Sequence, residues 1–141
     1  MSRAVKGQSV QHPPLIAVVD DDESVRESLP ELLRELGFGA AAFGSAEAFL
    51  ASEDGAGFRS LILDVSLPGM SGPDLQLELS HLKRNIPIIF ITGKADQLVR
   101  ARVLAQGAVE CLLKPFSDHA LRAALDAALG THFVRSDIGS G

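Results

Sequence analysis

The chain has 141 residues, of which 46% are hydrophobic and 22% are charged, a balance typical of one globular domain. Eighteen acidic residues against thirteen Lys and Arg give a net charge of −5, which disfavours a protein that holds nucleic acid through a basic surface. No apolar run approaches the roughly twenty residues that cross a bilayer, and the start of the chain lacks a signal-peptide core. The single Cys111 excludes an internal disulfide, so we expect a cytoplasmic protein.

Short apolar runs alternate with segments of helical spacing between two polar ends, residues 1–14 and 130–141. We expect these ends to be extensions of one domain at residues 15–129. Each apolar run is bounded by Gly, Pro, Asp or Ser, which predicts strands at Leu15–Val19, Gly39–Phe43 and residues 61–63, 86–91 and 108–113. Leucines and alanines spaced by three and four residues follow each run and predict helices. Alternating strands and helices predict an α/β fold with a parallel sheet covered on both faces.

Several residues mark where the predicted helices begin and end. Ser45 is a candidate N-cap of the second helix, Pro73 suits the first turn of the third, and Gly107 ends the fourth. Pro30 lies inside the first helix, where it removes a backbone hydrogen bond. We therefore expect either a kink at Pro30 or a helix that begins later than the acidic residues before it suggest.

Polar side chains follow four of the five predicted strands, at the sheet edge where open parallel sheets bind their ligands. They are Asp20, Asp21 and Asp22 after the first strand, Asp64 after the third, Thr92 after the fourth and Lys114 after the fifth. Clustered carboxylates repel one another unless a cation lies between them, and oxygen ligands suit Mg²⁺. A threonine hydroxyl and a lysine ammonium can bind phosphoryl oxygens. The set therefore predicts a magnesium-dependent phosphoryl-transfer site.

Each of these residues also has an ordinary structural role. Asp20, Asp21 and Asp22 could be acidic residues at a helix start, with Asp22 as its cap. Asp64 and Thr92 could be turn residues, and Lys114 a solvated side chain. We favour the shared chemical role because independent turn residues would not be expected at successive strand ends.

At these positions the chain resembles the receiver domain of two-component response regulators, and it is most similar to FixJ-like receivers. The resemblance extends over about residues 15–129 and is carried by VVDDDESVRESL, LILDVSLPGMSG, IPIIFITGKAD and GAVECLLKPF. It implies a flavodoxin-like (βα)5 doubly wound fold. The five parallel strands would have the order 2-1-3-4-5, with helices on both faces.

The resemblance also implies the roles of the acidic residues. Asp64 would accept a phosphoryl group from a phosphohistidine of a sensor histidine kinase or phosphotransfer protein. Asp21 would bind Mg²⁺ directly (Mn²⁺ can substitute), and Asp64 and the backbone carbonyl of Ser66 would also be ligands. Asp20 would support the metal. The chain would assist its own phosphorylation and dephosphorylation without being an enzyme for other substrates.

The same resemblance implies a switch. Lys114, before a cis bond to Pro115, would pair with Asp64 and then with the phosphoryl group, while the Thr92 hydroxyl would move toward that group. The surface that responds, through which two copies would form a homodimer, comprises the fourth helix, fifth strand and fifth helix at residues 98–106, 108–113 and 117–129. Cys111 stands where the family usually has an aromatic ring that moves with the threonine. We therefore expect weak coupling between Thr92 and this surface, and a monomer or weak dimer.

Two alternatives stay open. A degenerate receiver that only binds proteins is consistent with Cys111. A magnesium-dependent phosphohydrolase is disfavoured, because Ser66 stands two residues after Asp64, where a general acid is expected. The twelve residues after Leu129 are too few for a helix-turn-helix output domain, so we expect a stand-alone receiver or the N-terminal part of a FixJ-like transcription regulator, with no nucleic acid bound by this chain itself.

Overall fold

Strands and helices alternate along the described chain, residues 13–52 and 57–130 of a computed structural model. The strands are β1 Leu15–Val19, β2 Gly39–Phe43, β3 Ser60–Asp64, β4 Ile88–Thr92 and β5 Glu110–Leu113. The helices are α1 Glu23–Glu35, α2 Ala46–Ser52, α3 Gly72–His81, α4 Gln97–Ala105 and α5 Asp118–Leu129. The predicted extensions lie outside the described residues, apart from the few that adjoin the domain. No described helix has the length and hydropathy needed to cross a membrane.

The five strands form one parallel sheet in the order β2-β1-β3-β4-β5, as the resemblance implies. Successive side chains of a strand point to opposite faces, and each face has its own apolar core. The face with Val19, Leu63 and Phe90 packs against α2, α3 and α4. The face with Val18 and Ile62 packs against α1 and α5. Helices on both faces and the flavodoxin-like architecture are therefore confirmed.

The first two strands have the predicted bounds, whereas the ends of the other three differ from the predicted ends by at most two residues. Asp64 and Thr92 are the last residues of β3 and β4 rather than the first residues after them. The fourth strand begins at Ile88 and not at residue 86, because Pro87 has no N–H to donate to a neighbouring strand. The carbonyl of Pro87 still accepts hydrogen bonds, from the Leu61 N–H at 3.0 Å and the Ser60 hydroxyl at 3.0 Å.

The first helix begins where its acidic residues indicate, so the expected later start is wrong. The Asp22 carboxylate caps α1 by accepting hydrogen bonds from the Ser24 N–H at 2.9 Å and the Ser24 hydroxyl at 2.8 Å. This cap satisfies a backbone donor that would otherwise have no partner in the helix. Pro30 lies inside the helix with its ring buried, and packing of that ring helps to offset the lost backbone hydrogen bond. A kink at Pro30 stays a prediction.

The other three helix signals are confirmed. The Ser45 hydroxyl accepts a hydrogen bond from the Ala48 N–H at 3.0 Å at the start of α2. Pro73 lies in the first turn of α3. Gly107, just after α4, has a φ of +106°, which only glycine adopts readily.

Candidate functional site

Three carboxylates meet at the carboxyl edge of the sheet. Asp20 directly follows β1 and Asp64 ends the neighbouring β3. One carboxylate oxygen each from Asp20, Asp21 and Asp64 lies within 4.8 Å of the others. Asp20 is fully buried and Asp64 is 5% exposed, whereas Asp21 is exposed to solvent. Of the predicted acidic residues, only Asp22 has a separate role, as the cap of α1.

The ammonium of Lys114 lies close to two of these carboxylates. Its Nζ lies 3.0 Å from Oδ2 of Asp20 and 4.0 Å from Oδ2 of Asp64. The resemblance paired Lys114 with Asp64, but in the structure the ammonium lies nearer to Asp20. Both oxygens of Asp20 have partners, since its Oδ1 accepts a hydrogen bond from the Asp22 N–H at 2.9 Å. The peptide bond between Lys114 and Pro115 is cis, as expected.

The close approach of these groups changes their acidity. Burial and the negative charge of Asp20 raise the pKa of Asp64 from 3.8 to about 6, although the Lys114 ammonium and the Ser66 amide oppose this increase. Burial alone would lower the pKa of Lys114. The hydrogen bond to Asp20, with the charges of Asp64, Asp20 and Asp22, raises the pKa of Lys114 above its ordinary value instead.

These residues fit the metal that the sequence predicts. The candidate ligand atoms of Asp20, Asp21 and Asp64 are all carboxylate oxygens, which hard divalent cations prefer as ligands. When all three are ionised, the ammonium of Lys114 cancels only one of their charges, so the cluster retains two negative charges that a divalent cation would balance. The Ser66 N–H donates to Oδ1 of Asp64 at 3.3 Å, which places Ser66 beside the cluster.

The raised pKa of Asp64 predicts a pH-dependent stability of the metal-free protein. A carboxyl whose pKa rises from 3.8 to about 6 on folding stabilises the folded state below pH 3.8, and this contribution is lost as the pH rises through 6. The Asp64→Asn variant should therefore have a higher melting temperature than the wild type at about pH 7, and the difference should shrink toward about pH 4. Thermal denaturation in metal-free buffer measures it. A difference that grows at low pH would contradict this account.

Thr92 lies at the end of β4, and its hydroxyl is held in a local turn. It accepts a hydrogen bond from the Lys94 N–H at 3.2 Å and donates one to the Lys94 carbonyl at 3.3 Å. Beside it, a cavity of about 320 Å³ is lined by Thr92, Val65, Val99, Cys111 and Leu113, among others. There is therefore open space between the predicted switch hydroxyl and α4.

Cys111 is a buried residue of β5, 7% exposed, and burial raises the pKa of its thiol. The thiol is therefore neutral at physiological pH, as expected for a packing residue. Arg100 of α4 donates a hydrogen bond from Nη1 to the Cys111 carbonyl at 2.8 Å, and its Nη2 lies 3.2 Å from Oε1 of Glu110. The sequence pattern does not indicate this link between α4 and β5, because an arginine on a helix is ordinarily solvated.

A second feature that the sequence pattern does not indicate is an apolar groove next to Lys114. The groove has a volume of about 570 Å³ and is lined by Val25, Ser28, Leu29, Leu32, Ile91, Lys114, Pro115 and Phe116. Leu29 of α1 is buried in the core, whereas Val25 and Leu32 of the same helix are only half-buried. The groove places an apolar surface beside the acidic cluster.

Comparisons with known proteins agree with this geometry. A family model described as the response regulator receiver domain matches residues 16–126. Nodulation protein W of Bradyrhizobium diazoefficiens is 47% identical over 114 residues, which are 81% of this chain and 50% of that protein. The transcriptional regulatory protein FixJ of the same organism is 37% identical over 114 residues, 81% of this chain and 56% of that protein. The chain thus spans about half the length of these curated relatives.

Solved structures show the same likeness. The crystal structure of FixJ-N has a TM-score of 0.75 at 39% identity and covers 83% of this chain and 94% of that one. The response regulator StyR has a TM-score of 0.78 at 40% identity and covers 91% of this chain and 65% of that one. With its fold, its acidic cluster and its relatives in agreement, the chain belongs to the family of response regulator receiver domains.

Proposed function

We propose that this receiver domain accepts a phosphoryl group on Asp64 in a Mg²⁺-dependent reaction. The observation that carries the proposal is the cluster of Asp20, Asp21 and Asp64 with the Lys114 ammonium at one edge of the sheet. Asp64 is the candidate nucleophile because its carboxylate lies close to those of Asp20 and Asp21 and accepts a hydrogen bond from the Ser66 N–H. Its carboxylate is the only one of the three at the end of a strand, where the backbone position is fixed by the sheet.

Each side chain has a defined task in this mechanism. An oxygen of Asp64 attacks phosphorus, so that the P–O bond forms as the P–N bond to the phosphohistidine of the partner breaks and the imidazole leaves. The Lys114 ammonium binds an oxygen of the transferred group, and the Thr92 hydroxyl donates to another after its turn with Lys94 opens. Mg²⁺ (or Mn²⁺ in its place), bound by Asp21, Asp64 and the Ser66 carbonyl and supported by Asp20, would neutralise charge on the phosphoryl oxygens.

The apolar groove beside Lys114 supports a protein as the phosphoryl donor. The groove begins at the residue that contacts Asp20 and continues along Val25 and Leu32 of α1. An apolar surface next to a charged cluster suits a partner that buries side chains there while a histidine reaches the carboxylates. We infer that this partner is a sensor histidine kinase or a phosphotransfer protein. The receiver, residues 15–129 between the extensions at 1–14 and 130–141, would meet it in the cytoplasm.

The proposal is tested by offering the domain a small phosphodonor. Acetyl phosphate with Mg²⁺ should add one phosphoryl group per chain, and removal of the metal with EDTA should prevent it. The product should be an acyl phosphate, which hydroxylamine cleaves, and intact-mass spectrometry follows both steps. No uptake with Mg²⁺ present would instead favour the degenerate receiver that only binds proteins. Steady turnover of many phosphodonor molecules, with no accumulation of the acyl phosphate, would favour the phosphohydrolase.

The exposed Asp21 should matter most for the metal. Both oxygens of Asp20 already have partners, whereas Asp21 faces solvent, so we assign Asp21 as the direct ligand. The Asp21→Ala variant should bind Mg²⁺ about tenfold or more weakly. Mg²⁺ should therefore raise its melting temperature less than that of the wild type. Without metal the variant should melt slightly higher, because one repelling carboxylate is gone. Equal stabilisation of both proteins by Mg²⁺ would show that Asp21 is not a ligand.

We further propose that phosphorylation changes the surface of α4, β5 and α5 and that two copies pair through it only weakly. The cavity between Thr92 and Cys111 is where a ring would enter. The Cys111→Phe variant should increase the effect of beryllofluoride, a phosphoryl mimic, on the dimerisation constant by about fivefold or more. Sedimentation of both proteins with and without the mimic measures this. If beryllofluoride strongly increased dimerisation of the wild type and Cys111→Phe left that increase unchanged, Cys111 would have no part in the coupling.

A further inference from the structure

The loop between β3 and α3, residues 65–71, is held by a side chain from another element. Oε2 of Glu47, in the first turn of α2, accepts a hydrogen bond from the Met70 N–H at 2.9 Å. This hydrogen bond lowers the pKa of the Glu47 carboxyl below its ordinary value, so the group is ionised at neutral pH.

Gly69 makes this contact possible. Its φ is +74°, a conformation that residues with a Cβ rarely adopt, and a Cβ built on Gly69 would lie 2.8 Å from Oε2 of Glu47. Both the turn and the close approach of the carboxylate therefore require glycine at this position. The turn at Gly69 directs the Met70 N–H to Glu47.

The same loop contains Ser66, which the proposed function places beside the cation. The loop is anchored near its ends, where the Ser66 N–H donates to Oδ1 of Asp64 at 3.3 Å and the Gly72 N–H donates to the Val65 carbonyl at 3.2 Å. Both of these bonds join residues of the loop to its immediate neighbours. The hydrogen bond from Met70 to Glu47 instead ties the loop to α2, 23 residues earlier in the chain.

We propose that Glu47 is a positioning residue for the acidic cluster. By holding Met70, it keeps the loop and its Ser66 in the conformation that the cation and Asp64 require. The inference rests on the proposed function, because it assumes that Ser66 is a metal ligand. Glu47 itself does not belong to the cluster, since its carboxylate is directed to the backbone of Met70.

The test compares three variants of the full chain. Glu47→Ala removes the acceptor and should weaken Mg²⁺ binding by about threefold to tenfold, the effect expected for one lost hydrogen bond. Glu47→Gln keeps an acceptor oxygen and should stay within about twofold of the wild type. Glu31→Ala removes an exposed carboxylate from α1 and is the control for net charge. NMR titration with MgCl₂ gives the affinities, and hydrogen exchange of the Met70 amide without metal reports on the contact itself.

The inference predicts a specific pattern across these proteins. The Met70 amide should exchange faster in Glu47→Ala, with weaker Mg²⁺ binding, while Glu47→Gln and Glu31→Ala resemble the wild type in both. If Glu47→Gln binds Mg²⁺ as weakly as Glu47→Ala, the charge and not the hydrogen bond matters, and the inference is wrong. If Glu47→Ala binds Mg²⁺ like the wild type, it is also wrong, although the proposed function stands. Failure of the wild type itself to bind Mg²⁺ would overturn the proposed function and the inference with it.

Discussion

The Asp64→Asn variant should take up no phosphoryl group from acetyl phosphate and Mg²⁺, under conditions that fully label the wild type. The amide of asparagine lacks the anionic oxygen that would attack phosphorus, so the loss should be complete rather than partial. The fold should persist, because asparagine has nearly the shape of aspartate and removes a charge from a buried pair of carboxylates. Intact-mass spectrometry and gel mobility shift with a phosphate-binding dye measure the uptake.

A matched control lies at the same edge of the sheet. Asp22→Asn makes the same chemical change two residues from the fully buried Asp20, and asparagine caps a helix about as well as aspartate does. This variant should be labelled like the wild type. Equal labelling of Asp64→Asn, with the phosphate mapped to a serine or threonine, would overturn the assignment of the acceptor.

The Lys114→Met variant should be phosphorylated about 10²–10³ times more slowly, the effect expected when one preorganised charge contact is removed. It should still bind Mg²⁺, because the carboxylates remain. Asp20 is fully buried and loses the partner of its Oδ2, so the metal-free variant should be less stable by about 1–3 kcal/mol. Mg²⁺ should recover part of this loss by supplying another positive charge. Rates from time-resolved labelling and thermal denaturation with and without Mg²⁺ test these effects.

The Lys94→Met variant is the control that distinguishes the contact of Lys114 with the carboxylates from the loss of one positive charge. Lys94 lines the cavity beside Thr92, and removing its charge changes the net charge of the protein by the same amount. Phosphorylation of Lys94→Met should stay within about threefold of the wild type, as expected for an exposed charge. If the two lysine variants were slowed equally, contact with the carboxylates would not explain the effect of Lys114. If phosphorylated Lys114→Met showed the same change in dimerisation as the phosphorylated wild type, Lys114 would have no part in the switch.

The architecture could be predicted from the sequence because local patterns determine it. Short apolar runs such as Leu15–Val19 and Gly39–Phe43 became strands with the predicted bounds, since a short apolar run between turn residues can be recognised without distant information. The parallel arrangement then brought Asp64 and Thr92 to one edge, as the alternation of strands and helices required. The phosphoacceptor role of Asp64 and the metal role of Asp21 stay predictions, which the variants above test.

Other features depended on residues that are far apart in the sequence. The ion pair between Lys114 and Asp20 joins residues 94 positions apart, and the sequence does not indicate that the ammonium lies nearer to Asp20 than to Asp64. A glutamate in the first turn of a helix ordinarily suggests only a favourable interaction with the helix dipole. The hydrogen bond that Glu47 accepts from the Met70 N–H could therefore not be predicted from the sequence. The sequence by itself determined the elements, their succession along the chain and the sheet edge that carries the polar residues, because periodicity is a local property; the order of the strands in the sheet came from the family resemblance. Only the tertiary structure decided which charged groups touch and where cavities remain, because burial and packing depend on the whole folded chain.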